Sequence, residues 1–156
     1  MDVIIEIPRG SRNKYEVDKK TNSIRLDRVL YSSVQYPADY GYLENTLCGD
    51  GDPLDVLVIT RFPTFPGCVI GSRPIAVLNI IDTGESDEKI IAVPENDPYF
   101  DAWKNIKDMP EALKNEIEEF FKTYKNLQKG KTVEVKGWGD AKEAEKTIKK
   151  AIEAAK

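Results

Sequence analysis

The sequence contains no histidine among its 156 residues. This absence excludes catalytic sites of the Ser-His-Asp and Cys-His kinds, and it excludes HExxH metal sites. Acid–base chemistry in this chain must therefore use Asp, Glu, Lys, Tyr or a metal-bound water. The only cysteines are Cys48 and Cys68, which are too few soft ligands for an ordinary structural zinc site. We expect both to be reduced core residues.

Long apolar segments and an excess of basic residues are also missing. No window approaches the roughly 20 consecutive apolar residues of a membrane-spanning helix, and the segment MDVIIEIPRG lacks the residue order of a signal peptide. We therefore expect a soluble, cytoplasmic protein with no membrane partner. The formal net charge of −4 provides no global basic surface for nucleic acid. The length and the hydrophobic content of 40% predict one domain that spans residues 1–156.

Hydrophobic patterning predicts strands first and helices last, as in a single α+β domain. Predicted strands span residues 3–7, 14–17, 24–28, 54–60, 69–82, 89–93 and 132–135. We interpret the first three as antiparallel strands of a small sheet or barrel.

From Asp108 the period of the apolar residues becomes three to four, which predicts one face of an amphipathic helix. The residues of this face are Met109, Leu113, Ile117, Phe120, Phe121, Tyr124 and Leu127. A second helix is predicted after Asp140. Asp108-Met-Pro-Glu111 and Asp140-Ala-Lys-Glu143 are typical N-terminal capping patterns for these two helices.

The segment DGDPLD at residues 50–55 places three carboxylates directly before the apolar run 56–59. Pro53 favours an extended Asp52 and Gly51 permits a tight bend, so the three side chains can lie close together. Converging carboxylates are stable only when cations neutralise them. A solvated turn whose acidic residues never converge is the alternative. An EF-hand loop is excluded, because its sixth position is Asp55 rather than Gly and its twelfth is Arg61 rather than Glu.

Further charged residues interrupt or end predicted strands, where each one alone is readily explained as a solvated strand end. They are Glu6, Lys14, Glu16, Arg28, Asp82, Asp87 and Lys89. Taken together, hard oxygen ligands without histidine favour magnesium or manganese over zinc or copper. Carboxylates beside basic side chains suggest a small, highly charged phosphate substrate. No GxxxxGK[ST] loop is present, so a nucleotide of the P-loop class is not indicated.

Several blocks in this order carry a resemblance to a known family. The blocks are IEIPRGSRNKYEVD, LDR, YPADYGY, DGDPLD, PGCVIGSRPI, the turn from Asp82 to Lys89, and FFKTYKNLQKGKTVEVKGW. The chain thereby resembles the soluble family I inorganic pyrophosphatases of the short prokaryotic type. The resemblance implies an OB-like five-stranded β-barrel with two main helices packed on it. It also implies a homohexamer that hydrolyses pyrophosphate to two phosphates by in-line attack of a metal-bridging hydroxide, with several Mg²⁺ ions per active site and Mn²⁺ as a possible substitute.

The resemblance also implies a role for each candidate site residue. Metal ligands would be Asp50, Asp55, Asp82, Asp87 and, through water, Glu6, with Glu16 supporting them. Asp52 would accept the proton of the attacking water, and Lys14 and Tyr40 would contact the phosphoryl group under attack. Arg28, Tyr124 and Lys125 would receive the leaving phosphate, with Lys89 and Tyr36 in the same pocket.

Two other functions remain open for an OB-like barrel. A single-strand nucleic-acid-binding module would use aromatic stacking beside a basic groove, but the tyrosines of YPADYGY are not accompanied by a run of Lys or Arg. A calcium-binding module without catalysis is the third possibility.

Overall fold

The computed structural model describes all 156 residues, which form eight strands and two α-helices. The strands are β1 (Asp2–Ile7), β2 (Asn13–Val17), β3 (Ile24–Val29), β4 (Asp39–Leu43), β5 (Leu54–Val58), β6 (Val69–Asp82), β7 (Glu85–Pro94) and β8 (Val133–Gly139). The helices are α1 (Glu111–Thr123) and α2 (Ala141–Ala154).

Five strands form a closed ring in the order β1, β4, β5, β7, β6, and pairing of β6 with β1 completes it. The pairing of β5 with β7 is parallel, whereas the other pairs of the ring are antiparallel. Strand β8 extends the sheet from β6. This ring with its two helices confirms the predicted OB-like five-stranded architecture of the α+β class.

Each helix covers a different part of the core with the apolar face that its sequence period predicts. Helix α1 contributes Ile117, Phe120 and Phe121 to the larger of two buried clusters. Helix α2 contributes Ala144 and Ile148 to the smaller cluster. None of the helices is long and apolar enough to cross a membrane.

The first three predicted strands do pair antiparallel in a small sheet or a barrel-like ring, but they do not all belong to the same one. Only β1 belongs to the ring, whereas β2 and β3 pair with each other in a separate two-stranded sheet. The neighbour of β1 in the ring is β4. The sequence pattern did not predict this strand, because four of its five residues are buried and its apolar and polar residues do not alternate. Its Gly41 lies so close to β1 that an added Cβ would stand 1.8 Å from the carbonyl oxygen of Ile4.

The predicted start of the first helix is also wrong. Helix α1 begins at Glu111 after Pro110, without a side-chain cap. Asp108 instead closes the preceding turn, where its carboxylate accepts hydrogen bonds from the backbone of Lys104 and Asn105. Leu127 lies beyond the end of the helix and is 65% exposed.

The cap predicted for the second helix is confirmed. Asp140 Oδ1 accepts from Glu143 N at 3.0 Å, and Glu143 Oε2 accepts from Asp140 N at 3.0 Å. The cysteines are not joined by a disulfide, as predicted, but they are half-buried at the margin of the smaller cluster rather than within the core.

Candidate active site

A cavity of about 220 Å³ lies beside the loop that connects β4 to β5. Gly51, at φ +85°, allows this loop to turn, and Asp50 Oδ1 accepts from Asp52 N at 3.0 Å. Among the residues that line the cavity are seven of the predicted site residues, namely Glu6, Lys14, Glu16, Tyr40, Asp50, Asp52 and Asp55. The three acidic residues of DGDPLD therefore line one cavity, although Asp50 and Asp52 are exposed.

A buried lysine lies behind this cavity and joins two of the predicted metal ligands. Lys89, which is 2% exposed, places its Nζ 2.5 Å from Asp55 Oδ2 and 2.8 Å from Asp87 Oδ2. It also donates to the hydroxyl oxygen of Tyr40 at 3.0 Å, and that hydroxyl donates to Asp55 at 2.6 Å. The register of the parallel pair β5–β7 sets Asp55 directly opposite Lys89.

The charges of this group do not cancel, because the single ammonium of Lys89 pairs with the two carboxylates of Asp55 and Asp87. Burial alone would lower the pKa of Lys89, but the negative charge of Asp55 and its neighbours raises it well above its usual range. Burial raises the pKa of Asp87, and the charge of Asp55 raises it further. An additional cation would therefore stabilise the ionised form of Asp87.

A second ion-paired group forms where the end of β6 meets the end of α1. Lys125 Nζ bonds to the carboxylate of Asp82, and Tyr124 donates to the same carboxylate at 3.5 Å. Burial opposes ionisation of Asp82, but the hydrogen bonds from Lys125 and Thr83 outweigh it and lower the pKa of this acid. Tyr124 is 6% exposed, because it packs against the aromatic residues of α1.

The hairpin β2–β3 brings two cations to one carboxylate. Lys14 and Arg28 are paired in the strand register, and Asp27 lies 3.8 Å from Lys14 Nζ and 2.6 Å from Arg28 Nη1. Lys14 also bonds to Glu16. On the other side, the side-chain oxygen of Gln128 accepts from Arg28 Nε and Nη2 at 3.0 and 3.1 Å when its amide is oriented to satisfy both groups.

Tyr36 forms part of the aromatic wall between the cavity and α1. It is 2% exposed, and its ring centroid lies 5.3 Å from that of Tyr40 and 4.7 Å from that of Phe120. This packing fixes the Tyr40 ring, whose hydroxyl contacts Asp55 and Lys89.

Seven predicted site residues do not line the cavity, and their contacts divide them into three groups. The first group contacts residues that line the cavity. Lys89 bonds to the lining residue Asp55 and to Asp87, and Tyr36 packs against the lining residue Tyr40. The second group is Arg28 alone, which pairs with Asp27, as does the lining residue Lys14. The third group consists of Asp82, Tyr124 and Lys125.

Three residues with contacts to this site were not singled out from the sequence. Asp27 could have been found, since it precedes Arg28 within the LDR block. Gln128 likewise lies within the block FFKTYKNLQKGKTVEVKGW. Lys19 carries no such signal, although Lys19 Nζ lies 3.3 Å from Asp52 Oδ1.

The donor set fits a hard divalent cation. Every candidate ligand is a carboxylate oxygen, which is the ligand type that magnesium and manganese prefer. Burial raises the pKa of Glu6 from 4.5 to about 7, and nearby Asp55 adds to this shift, so a nearby cation would favour the ionised form of Glu6. No three acidic side chains are close enough together to share one ion, and Lys89 and Lys125 bond to three of the carboxylates instead.

Comparison with known proteins places this chain in a family. The sequence profile of the inorganic pyrophosphatase family matches residues 3–156. The inorganic pyrophosphatase of Leifsonia xyli is 55% identical over 94% of this chain and 90% of its own length, and that of Synechocystis is 58% identical over 90% and 82%. The crystal structure of inorganic pyrophosphatase from Thermus thermophilus has a TM-score of 0.97 and 44% identity, over 99% of this chain and 90% of that one. The chain therefore belongs to the inorganic pyrophosphatase family.

Proposed function

We propose that this protein is a metal-dependent hydrolase that converts inorganic pyrophosphate to two phosphates. The observation that carries this proposal is the cavity of about 220 Å³ beside DGDPLD, which is lined by both acidic and basic side chains. Such a site suits a small polyanion bound together with divalent cations, because the cations and the basic side chains neutralise it jointly. Family membership over nearly the whole chain supports the same activity.

The acidic residues are the metal ligands in this proposal. Asp50, Asp55 and Asp87 hold the first ions, while Asp82, Glu6 through water, and Glu16 complete the set. The ions are several Mg²⁺, with Mn²⁺ as a substitute, and they supply neutralising charge and make a water molecule more acidic. For these ligands to bind metal, Lys89 and Lys125 must give up part of their present contacts with Asp55, Asp87 and Asp82.

The basic residues and tyrosines bind and orient the substrate. Lys14 and Tyr40 contact the phosphoryl group under attack, and both line the cavity. Arg28, Tyr124 and Lys125 receive the leaving phosphate. Lys89 assists nearby, and Tyr36 maintains the wall of the pocket. Holding the two phosphoryl groups in fixed positions supplies much of the barrier reduction, since in-line attack requires an aligned nucleophile.

Asp52 is the proton acceptor of the reaction in this proposal. Its side chain is 72% exposed at the cavity and is paired only with Lys19, which is itself 66% exposed. An exposed pair of this kind is weak, so the carboxylate is available to take a proton from the attacking water. General-base catalysis requires that availability.

We also propose that residues 1–156 act as one pyrophosphatase domain that assembles into a homohexamer in the cytoplasm. Exposed apolar side chains support a protein–protein interface. They include Phe62 and Phe65 on the segment between β5 and β6, and Val69 at the start of β6. The two unpaired thiols support a reducing compartment. Light scattering coupled to gel filtration measures the assembly state directly.

The activity is tested by measuring phosphate release from pyrophosphate. We expect turnover with Mg²⁺ or Mn²⁺ and none after removal of divalent ions with EDTA. Calcium should bind but support little turnover, because its longer bonds and looser coordination misplace the reacting groups. Absence of turnover with every divalent ion, combined with tight binding of calcium or of single-stranded DNA, would overturn the proposal and favour a binding module.

A further inference from the structure

Thr46 closes the base of the loop that carries Asp50 and Asp52. This residue is 6% exposed, and its hydroxyl donates to the carbonyl oxygen of Leu43, the last residue of β4. The same hydroxyl oxygen accepts at 2.9 Å from the backbone N–H of Leu54, the first residue of β5. One side chain thus joins both ends of the connection between residues 43 and 54.

A second contact ties this loop to the C-terminal helix. The backbone N–H of Leu47 donates to the carbonyl oxygen of Ala151 at 2.9 Å. Ala151 lies in the last turn of α2, where carbonyl groups lose their partners within the helix, and the N–H of Ala155 bonds to Ile152 instead. The loop therefore takes up an acceptor that the helix leaves free.

The tip of the loop is held by local hydrogen bonds and by one exposed ion pair, between Lys19 and Asp52, which is weak. Cys48 N donates to Asp52 O at 2.8 Å, and Gly51 N donates to Cys48 O at 3.0 Å. The side chain of Asp52 is largely exposed. The direction of the whole tip relative to Asp55 is consequently determined where the loop leaves the sheet, at Thr46 and Leu47.

We infer that Thr46 is a positioning residue for the acidic loop, and that it sets the distance of Asp50 and Asp52 from Asp55 without touching metal or substrate itself. The inference rests on the proposed metal-binding role of Asp50 and Asp55. Residues that orient metal ligands without binding the metal typically change its affinity by about 10- to 100-fold when they are replaced. Thr46 should act in the same way, through backbone geometry rather than through a contact with a ligand side chain.

The test compares the affinities of Thr46→Val, Thr46→Ala and Thr46→Ser for Mn²⁺. Electron paramagnetic resonance measures the concentration of free Mn²⁺ at each step of the titration. Val keeps the shape but loses both hydrogen bonds, Ala leaves room for a water in place of the hydroxyl, and Ser retains the hydroxyl. We expect Mn²⁺ to bind about tenfold more weakly, or worse, in the Val and Ala variants. Ser should restore affinity to within about twofold of the parent, because it can make both hydrogen bonds.

A matched control separates positioning from simple loss of stability. Ile75→Val removes one methyl group from the larger buried cluster and should lower the unfolding temperature while leaving Mn²⁺ affinity unchanged. Should Thr46→Val fail to fold, Thr46→Ala and Thr46→Ser still decide the question. Parent-like Mn²⁺ affinity in a folded Ala or Val variant would overturn the inference. Pyrophosphate turnover of the parent protein is measured separately, so a failure of the proposed activity is distinguished from a failure of Thr46.

Discussion

Asp52 differs from its neighbour Asp55 in its surroundings, although both belong to one acidic segment. The Asp52 side chain is 72% exposed, whereas that of Asp55 is 27% exposed and bonds to Lys89 and Tyr40. A partly buried, hydrogen-bonded carboxylate is already oriented, which suits a metal ligand. A solvated carboxylate can exchange protons readily, which suits a base.

Replacing Asp52 by Asn should therefore affect the chemical step. The amide has nearly the shape of the carboxylate but cannot accept the proton, so kcat should fall by roughly 10² to 10⁴. Excess magnesium should not restore the rate, whereas higher pH should restore part of it because hydroxide becomes more available. Asp55→Asn is the matched comparison and should weaken metal binding as well as rate. Rescue of Asp52→Asn by metal alone would identify Asp52 as a ligand.

Arg28 is held on both sides before any substrate arrives. Asp27 bonds to Nη1 and Gln128 faces Nε and Nη2, so the planar guanidinium has a fixed orientation. A lysine would keep the charge but lose the paired donors that match a phosphate group.

We expect Arg28→Lys to reduce kcat/KM by an amount equal to about 1–3 kcal/mol of transition-state stabilisation. Arg25→Lys is the control, since Arg25 lies on the same strand but is 68% exposed and pairs with Asp18. Steady-state kinetics of both variants provide the measurement. Equal kinetics for parent, Arg25→Lys and Arg28→Lys would show that Arg28 is only a solvated charge.

At the scale of elements, β4 depends on a close approach that only glycine permits. An added Cβ at Gly41 would stand 1.8 Å from the carbonyl oxygen of Ile4, which belongs to backbone and cannot move aside freely. Gly41→Ala should thus cost about 3 kcal/mol or more of unfolding free energy. Gly49→Ala is the control, because nothing lies within 4 Å of its added Cβ, and it should change stability by about 0.5 kcal/mol or less. Urea denaturation measures the unfolding free energy of both variants. Equal stability of Gly41→Ala and Gly49→Ala would contradict the expected strain.

Elements whose apolar residues recur with a clear period could be predicted from the sequence, and elements without such a period could not. The apolar face of α1, the cap at Asp140 and the bounds of β6 were predicted. Strand β4 escaped detection because it is buried on both faces, so its residues do not alternate. The cap of α1 was misplaced because Asp108 satisfies two N–H groups of the preceding turn, a local competition that capping patterns do not reveal.

At the scale of the whole molecule, the candidate site depends on the topology of the ring. Seven of the fourteen candidate site residues selected from residue types and blocks line one cavity. The contacts among them were not predictable, since Asp55 faces Lys89 only because β5 and β7 pair in parallel at one register. Sequence separation gives no indication of such a register.

The stability of the metal-free protein should depend on pH through Glu6. Burial raises the pKa of this acid from 4.5 to about 7 in the folded state, so folding favours its protonated form. The contribution of Glu6 to stability should be greatest below its unfolded pKa and should decline as pH rises toward 7, by up to about 3 kcal/mol. Glu6→Gln imitates the protonated form and should lack this decline. Urea unfolding in EDTA from pH 5 to 8 tests this, and parallel curves for parent and variant would contradict it.

The closed ring also bears on aggregation during storage at high concentration. Strands β1, β4, β5 and β7 each have two neighbours in the ring, so they offer little unpaired backbone to another chain. Free edges remain at β8 and at the hairpin β2–β3, and both bear exposed charges, including the ion pair between Lys136 and Glu134. Because exposed charges at strand edges discourage pairing between molecules, the native protein should resist fibril formation by strand addition.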